Sequence, residues 1–118
     1  MAHNQDIGKA GEDIACQYLL QKQYKIIARN WRCGHLEVDI IAYHNEVLHI
    51  VEVKTRTNIQ YGYPEEQITT KKFRLLQDAA VQYLELHPQY HKIQFDIIAI
   101  NLLPNAEPHI AYFEDYYM

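Results

Sequence analysis

Two acids and an ammonium stand in a spacing that can do chemistry: Asp39, then after twelve residues Glu52-Val53-Lys54. Asp39 sits in Leu36-Glu37-Val38-Asp39-Ile40-Ile41-Ala42, and the other two in Leu48-His49-Ile50-Val51-Glu52-Val53-Lys54. Both segments have the composition of strands, in which successive side chains alternate sides. Glu37 and Asp39 then share a face, as do Glu52 and Lys54. The stretch Tyr43-His44-Asn45-Glu46 is short enough for a hairpin. Antiparallel pairing sets Asp39 near Glu52, with Lys54 about 7 Å further along. Two carboxylates meeting beside an ammonium is a costly arrangement unless something uses it.

The use that fits is a hard divalent cation, which takes oxygen ligands from one or two carboxylates, waters and a substrate phosphate. Asp39 and Glu52 supply that pair for Mg²⁺ or Mn²⁺, and the backbone carbonyl of Val53 lies between Glu52 and Lys54 as a further ligand. Such an ion polarises a scissile phosphate and acidifies a bound water. Lys54 would orient that water and offset charge developing on the phosphate. Glu12, on a preceding helical segment, lies at the edge of its apolar face beside Gly8 and Leu19 and is placed to complete the cluster. Glu37 would bind the metal or support a ligand.

Simpler readings weigh against each residue. A lone Glu-x-Lys in a strand is ordinarily surface charge; Asp39 and a helix acid together lift the cluster above that. Asp96, between Phe95 and Ile97, reads as structural. Lys72 and Arg74 divide evenly between helix surface and phosphate contact. The many tyrosines read as core or rim before they read as base-stacking groups. The chain has no serine, which excludes a Ser-His-Asp triad, and no glycine-rich phosphate loop. Cys16 and Cys33 lack the spacing of a zinc ribbon or disulfide framework. No apolar run approaches the roughly 20 residues of a membrane span, and the first residues do not read as a signal peptide, so a cytoplasmic protein is expected.

The net charge of −4 argues at first against nucleic acid, but its distribution is uneven. Residues 1–74 hold ten Lys/Arg and nine Asp/Glu, whereas residues 75–118 hold one and six. Four of the nine acids are Glu12, Glu37, Asp39 and Glu52. With a cation among them, the first part is basic, and Arg29, Arg32, Arg56, Lys72 and Arg74 are available for phosphates.

These residues need a scaffold, and the chain reads as one domain over 1–118. Helical spacing of Ile7, Ala10, Ile14, Tyr18 and Leu19 predicts a helix over 6–21, with Gly8 and Gly11 permitting close packing. Strands are predicted over 24–31, 36–43 and 47–57, then a loop over 58–68. A second helix over 69–86 is capped by Thr69 or Thr70, with Phe73, Leu76, Ala80, Tyr83 and Leu84 as its buried stripe. A strand over 92–103 follows, and a last one over 107–113. The order α-β-β-β-α-β-(β) is an α/β fold, a central mixed sheet flanked by helices.

The blocks Gly8-Lys9-Ala10-Gly11-Glu12-Asp13-Ile14-Ala15, Arg29-Asn30-Trp31-Arg32, Glu37-Val38-Asp39-Ile40-Ile41-Ala42 and Val51-Glu52-Val53-Lys54-Thr55-Arg56 resemble the YraN-like family of bacterial proteins. So do Gly62-Tyr63-Pro64-Glu65-Glu66, Lys72 and Phe95-Asp96-Ile97-Ile98-Ala99-Ile100. That family is grouped with the PD-(D/E)XK nuclease superfamily and is similar in layout to archaeal Holliday-junction resolvases. The resemblance implies a restriction-endonuclease-like fold, metal-ligand acids at Asp39 and Glu52, a catalytic lysine at Lys54 and the helix acid at Glu12. Three positions depart from the pattern. Leu36 replaces a glycine, Val38 stands where the signature names proline, and Gln94 replaces a common arginine. The expected activity is metal-dependent hydrolysis of DNA phosphodiesters, with branched or junction DNA favoured by resemblance. A homodimer suits a junction with two symmetric strands. The alternative is a nucleic-acid- or protein-binding module on a nuclease scaffold, with the acidic, Tyr-rich C-terminal part as an interface.

Overall fold

A computed structural model describes residues 4–57 and 70–116. The chain runs α1 (Asn4–Gln21), β1 (Lys25–Cys33), β2 (Leu36–His44), β3 (Val47–Arg56), α2 (Thr70–Leu86), β4 (Ile93–Asn101) and β5 (His109–Phe113). The loop predicted over 58–68, Thr69 and the block at 62–66 lie outside the described residues. Elsewhere the expected order holds, with no end shifted by more than two residues.

Local chemistry sets the turns. α1 ends in a Schellman motif: Gln23 takes a left-handed φ of 70°, Gln23 N–H donates to the Leu20 carbonyl, and Tyr24 N–H reaches back to that of Leu19. Leu19 and Tyr24 then bury together. A two-residue turn joins β1 to β2, with Gly34 at φ 62° where a side chain would be strained. Asn45 and Glu46 join β2 to β3 with positive φ at both positions, the type I′ geometry whose twist matches the strands.

The five strands form one sheet in the order β1-β2-β3-β4-β5. The first three form an antiparallel meander, β4 lies parallel to β3 and β5 closes antiparallel to β4. A parallel neighbour needs a crossover, and α2 lies in that connection. Two cores result, one on each face. Under α1 lie Ala15, Cys16, Leu19, Ile40, Ala42, Val51, Ile98 and Ile100. Under α2 lie Val38, Ile41, Leu48, Ile50, Leu76, Ala79, Ala80 and Tyr83. Phe73 and Leu84 of the predicted stripe are only half-buried, and Ala79 joins it.

Alternation holds along β3, where Leu48 and Ile50 face α2 and Val51 faces α1. It breaks in β2. Val38 and Ile41, three apart, both pack under α2, while Ile40 between them packs under α1. Their partners Trp31 and Ala28 show the same slip, around an Asn30 with φ 54°. Asp39 sits at this break.

Candidate metal and phosphate site

Asp39 is placed by the end of a ladder. The β2–β3 register runs from His44↔Val47 to Ile40↔Val51. One residue further, the Asp39 carboxylate accepts the Val53 N–H at 2.8 Å. Glu52 comes from the next position of β3 and is almost enclosed, with its side chain 7% exposed. Alternation puts Glu52 and Lys54 on the side of α2. Lys54 Nζ lies 3.3 Å from Glu52 Oε1, and Lys72 from the first turn of α2 donates to the same oxygen. Among the described residues Glu52 Oε2 is buried with no hydrogen-bond partner.

Glu12 approaches from the other helix. A Cβ built on Gly11 would lie 1.9 Å from Thr55 Oγ1, so only glycine lets α1 come this close to β3. Gly8, by contrast, is exposed with nothing within 4 Å of a built Cβ, and it permits no close packing. The descent at Gly11 brings Glu12 over the sheet, where Arg29 Nη2 donates to it at 3.2 Å and to Asp13 at 2.8 Å.

The electrostatics follow from these contacts. Burial pushes the Asp39 carboxyl up from 3.8 to about 7, and the neighbouring Glu52 charge adds to it. The Val53 N–H and the Lys72 charge work in the opposite direction, and Glu12 pushes upward again. Among the described residues Asp39 has no ion pair, although Glu12 has one and Glu52 has two.

The structure thus brings Asp39, Glu52, Val53, Lys54, Glu12 and Lys72 to one end of the β2–β3 pair. Glu37 is not among them: its carboxylate pairs with Arg32 at 3.2 Å. The break at Asp39 accounts for this, because the shared face expected of Glu37 and Asp39 requires unbroken alternation. Arg32 is 77% exposed, Arg74 is exposed, and Arg56 turns its Nη1 to the Thr55 carbonyl at 3.2 Å. No three His, Cys, Asp or Glu side chains among the described residues converge as a metal cage. The donor set fits a cation held by two carboxylates and a carbonyl, with waters completing the shell. An unsatisfied buried carboxylate oxygen beside a second carboxyl that resists ionisation is the local demand such an ion meets.

The partners of Lys72 and Asp96 escaped the sequence reading, although Asp96 is structural as expected. Lys72, divided by local pattern between helix surface and phosphate contact, instead reaches Glu52 on the face of the sheet beneath α2, a long-range pairing with no signature in local spacing. Asp96, expected to be structural, is fully buried and accepts hydrogen bonds from His49 Nδ1 and Tyr112 Oη, both at 2.6 Å, from Gln94 Nε2 at 2.9 Å and from Asp115 N–H at 3.0 Å. Burial works to raise its pKa, and these donors outweigh it, holding the carboxyl below its usual value.

Comparison with known proteins agrees with the resemblance. The model of "Uncharacterised protein family UPF0102" matches residues 11–100. A UPF0102 protein of Rhodococcus opacus is 40% identical over 116 residues, 98% of each chain. One of Bacteroides fragilis is 44% identical over 100 residues, 85% of this chain and 83% of its own. One of Flavobacterium psychrophilum is 40% identical over 115 residues, 98% of this chain and 96% of its own. The chain belongs to the YraN-like family, UPF0102.

Proposed function

We propose that this protein is a Mg²⁺- or Mn²⁺-dependent endodeoxyribonuclease of the PD-(D/E)XK kind, with branched or junction DNA as its favoured substrate. The observation that carries the reading is the buried, unpartnered Glu52 Oε2, set beside Asp39 with Lys54 on the opposite oxygen. Asp39, Glu52 and the Val53 carbonyl would hold the cation, which supplies Lewis acidity toward a phosphoryl oxygen and a more acidic water.

The chain's own groups divide the remaining work. Lys54 is held to Glu52 and shares its side of the sheet, so its ammonium is fixed within reach of the same phosphate. There it orients the attacking water and offsets negative charge as that water adds. Arg29 holds Glu12 in place over the sheet, where Glu12 adds negative charge to the site. The exposed Arg32 and Arg74 offer positive charge to the backbone of the nucleic acid. A DNA substrate places the protein in the cytoplasm, and a symmetric junction suits two copies acting together.

No helix among the described residues is long and apolar enough to cross a membrane.

The test is Mn²⁺ titrated against junction, flap, single-stranded and duplex DNA. Cleavage is expected in Mn²⁺ and absent in EDTA. Asp39→Asn, Glu52→Gln and Lys54→Ala should each lose about a hundredfold or more in turnover while remaining folded. Failure to cut any of the four DNAs in Mn²⁺, or full activity in Asp39→Asn, refutes the proposal.

A further inference from the structure

Glu52 carries two ammoniums on one oxygen, and they are not equivalent. Lys54 belongs to the same strand, and its side chain is 17% exposed. Lys72 arrives from a different element and is 33% exposed, so it has solvent to withdraw into. Lys72 donates to Glu52. It therefore supplies that carboxylate with positive charge, as a divalent cation would. A divalent cation added beside the two ammoniums would repel both, with little screening in a partly enclosed site, and the more exposed Lys72 is the one that can yield.

Resting on the metal-dependent reading above, we infer that Lys72 is an exchangeable counter-ion. It neutralises Glu52 from Oε1, a divalent cation at the neighbouring Oε2 competes with it for that carboxylate's charge, and the displaced ammonium becomes available to a substrate phosphate. Lys72 sits in the first turn of α2. Cation binding would thus change how that helix end meets the sheet and would switch a lysine from that carboxylate to the nucleic acid. Lys72 is a positioning residue in this scheme, distinct from Lys54, which stays with Glu52.

The experiment is Mn²⁺ binding to the full chain, followed by electron paramagnetic resonance of the free ion, for wild type, Lys72→Met and Lys72→Arg. Removing the competing charge should tighten Mn²⁺ binding by about tenfold or more in Lys72→Met, with Lys72→Arg close to wild type. In parallel, the reactivity of Lys72 in wild type toward an amine-selective label, read by mass spectrometry, should rise when Mn²⁺ is added. Equal or weaker Mn²⁺ binding by Lys72→Met, with wild type binding normally, overturns the exchange and leaves the nuclease reading intact. If Lys72→Met does not fold, unchanged labelling of Lys72 on adding Mn²⁺ overturns it instead. Absence of any Mn²⁺ binding to wild type overturns both readings together.

Discussion

Asp39→Asn should stabilise this protein, and only where Asp39 would be charged. The carboxyl is buried beside Glu52 and moves from 3.8 to about 7 in the folded chain. The native state therefore holds more protons than the unfolded chain between those values. Stability falls as pH rises across that window, because the protons are released on unfolding. Each tenfold change in proton affinity is worth about 1.4 kcal/mol, so the full rise corresponds to at most about 4 kcal/mol by pH ~8. Asparagine retains a carbonyl oxygen for the Val53 N–H and removes the charge. Urea denaturation at about pH 4 should give wild type and Asp39→Asn nearly equal stability. The variant should pull ahead through pH ~6 and lead by a few kcal/mol at pH ~8. Glu52→Gln should make the wild-type fall smaller and end it at lower pH, by removing the second-largest cause of the raised value. A stability gap that is flat across pH, or an Asp39→Asn protein weaker than wild type at pH ~8, would refute the electrostatic account of the site.

Gly11→Ala drives a methyl into the Thr55 side chain. It should cost about 1–3 kcal/mol in denaturant unfolding. Thr55→Gly in the same chain should recover most of that, giving a large coupling in a double-mutant cycle. Asp96→Ala strands the donors of His49 and Tyr112 and should cost about 3 kcal/mol or more. Because the Asp96 carboxyl is held below 3.8, its stabilisation is present above the ordinary carboxylate range and is lost as pH falls through the lowered value. Asp96→Asn should accordingly flatten the acid side of a stability–pH curve.

What the sequence shows of this architecture is what short-range periodicity can encode. The order of elements, the hairpin at Asn45-Glu46 and the stripe of Leu76, Ala80 and Tyr83 follow from spacings of two, three or four residues. The closeness of Asp39 and Glu52 follows from one hairpin register. Glu37 is where that reasoning fails. The alternation rule carries it to Asp39, but the chain slips phase between Val38 and Ile41, opposite an asparagine in the left-handed region. Nothing in Val38-Asp39-Ile40 announces that slip. Gly8 and Gly11 are equivalent by composition, and only the packing of α1 on Thr55 tells them apart. Lys72 is separated from Glu52 by the segment 57–69, so no local pattern could join them.

The distribution of partners within the site also bears on whether it works as a catalyst or only as a scaffold. A structural ion cluster gains most when each buried acid is matched by donors on both oxygens, as at Asp96, where four donors meet one carboxylate. Asp39 and Glu52 are arranged differently. Among the described residues, both cations of Glu52 crowd onto one oxygen and leave the other bare, and Asp39 has a single backbone donor. The same chain therefore contains a satisfied buried acid and an unsatisfied pair on neighbouring strands. The unsatisfied pair lies where the β2–β3 ladder stops and both helices reach in. Donor capacity is withheld at the atoms a hard cation would use, and Lys54 is kept beside them. A site built only for stability would relieve that imbalance by replacing Glu52 with glutamine. Glu52→Gln should thus raise the metal-free folding stability at pH ~8 or leave it within about 1 kcal/mol of wild type, while abolishing Mn²⁺ binding. A loss of several kcal/mol with Mn²⁺ binding preserved would make Glu52 a structural acid and remove it from the catalytic set.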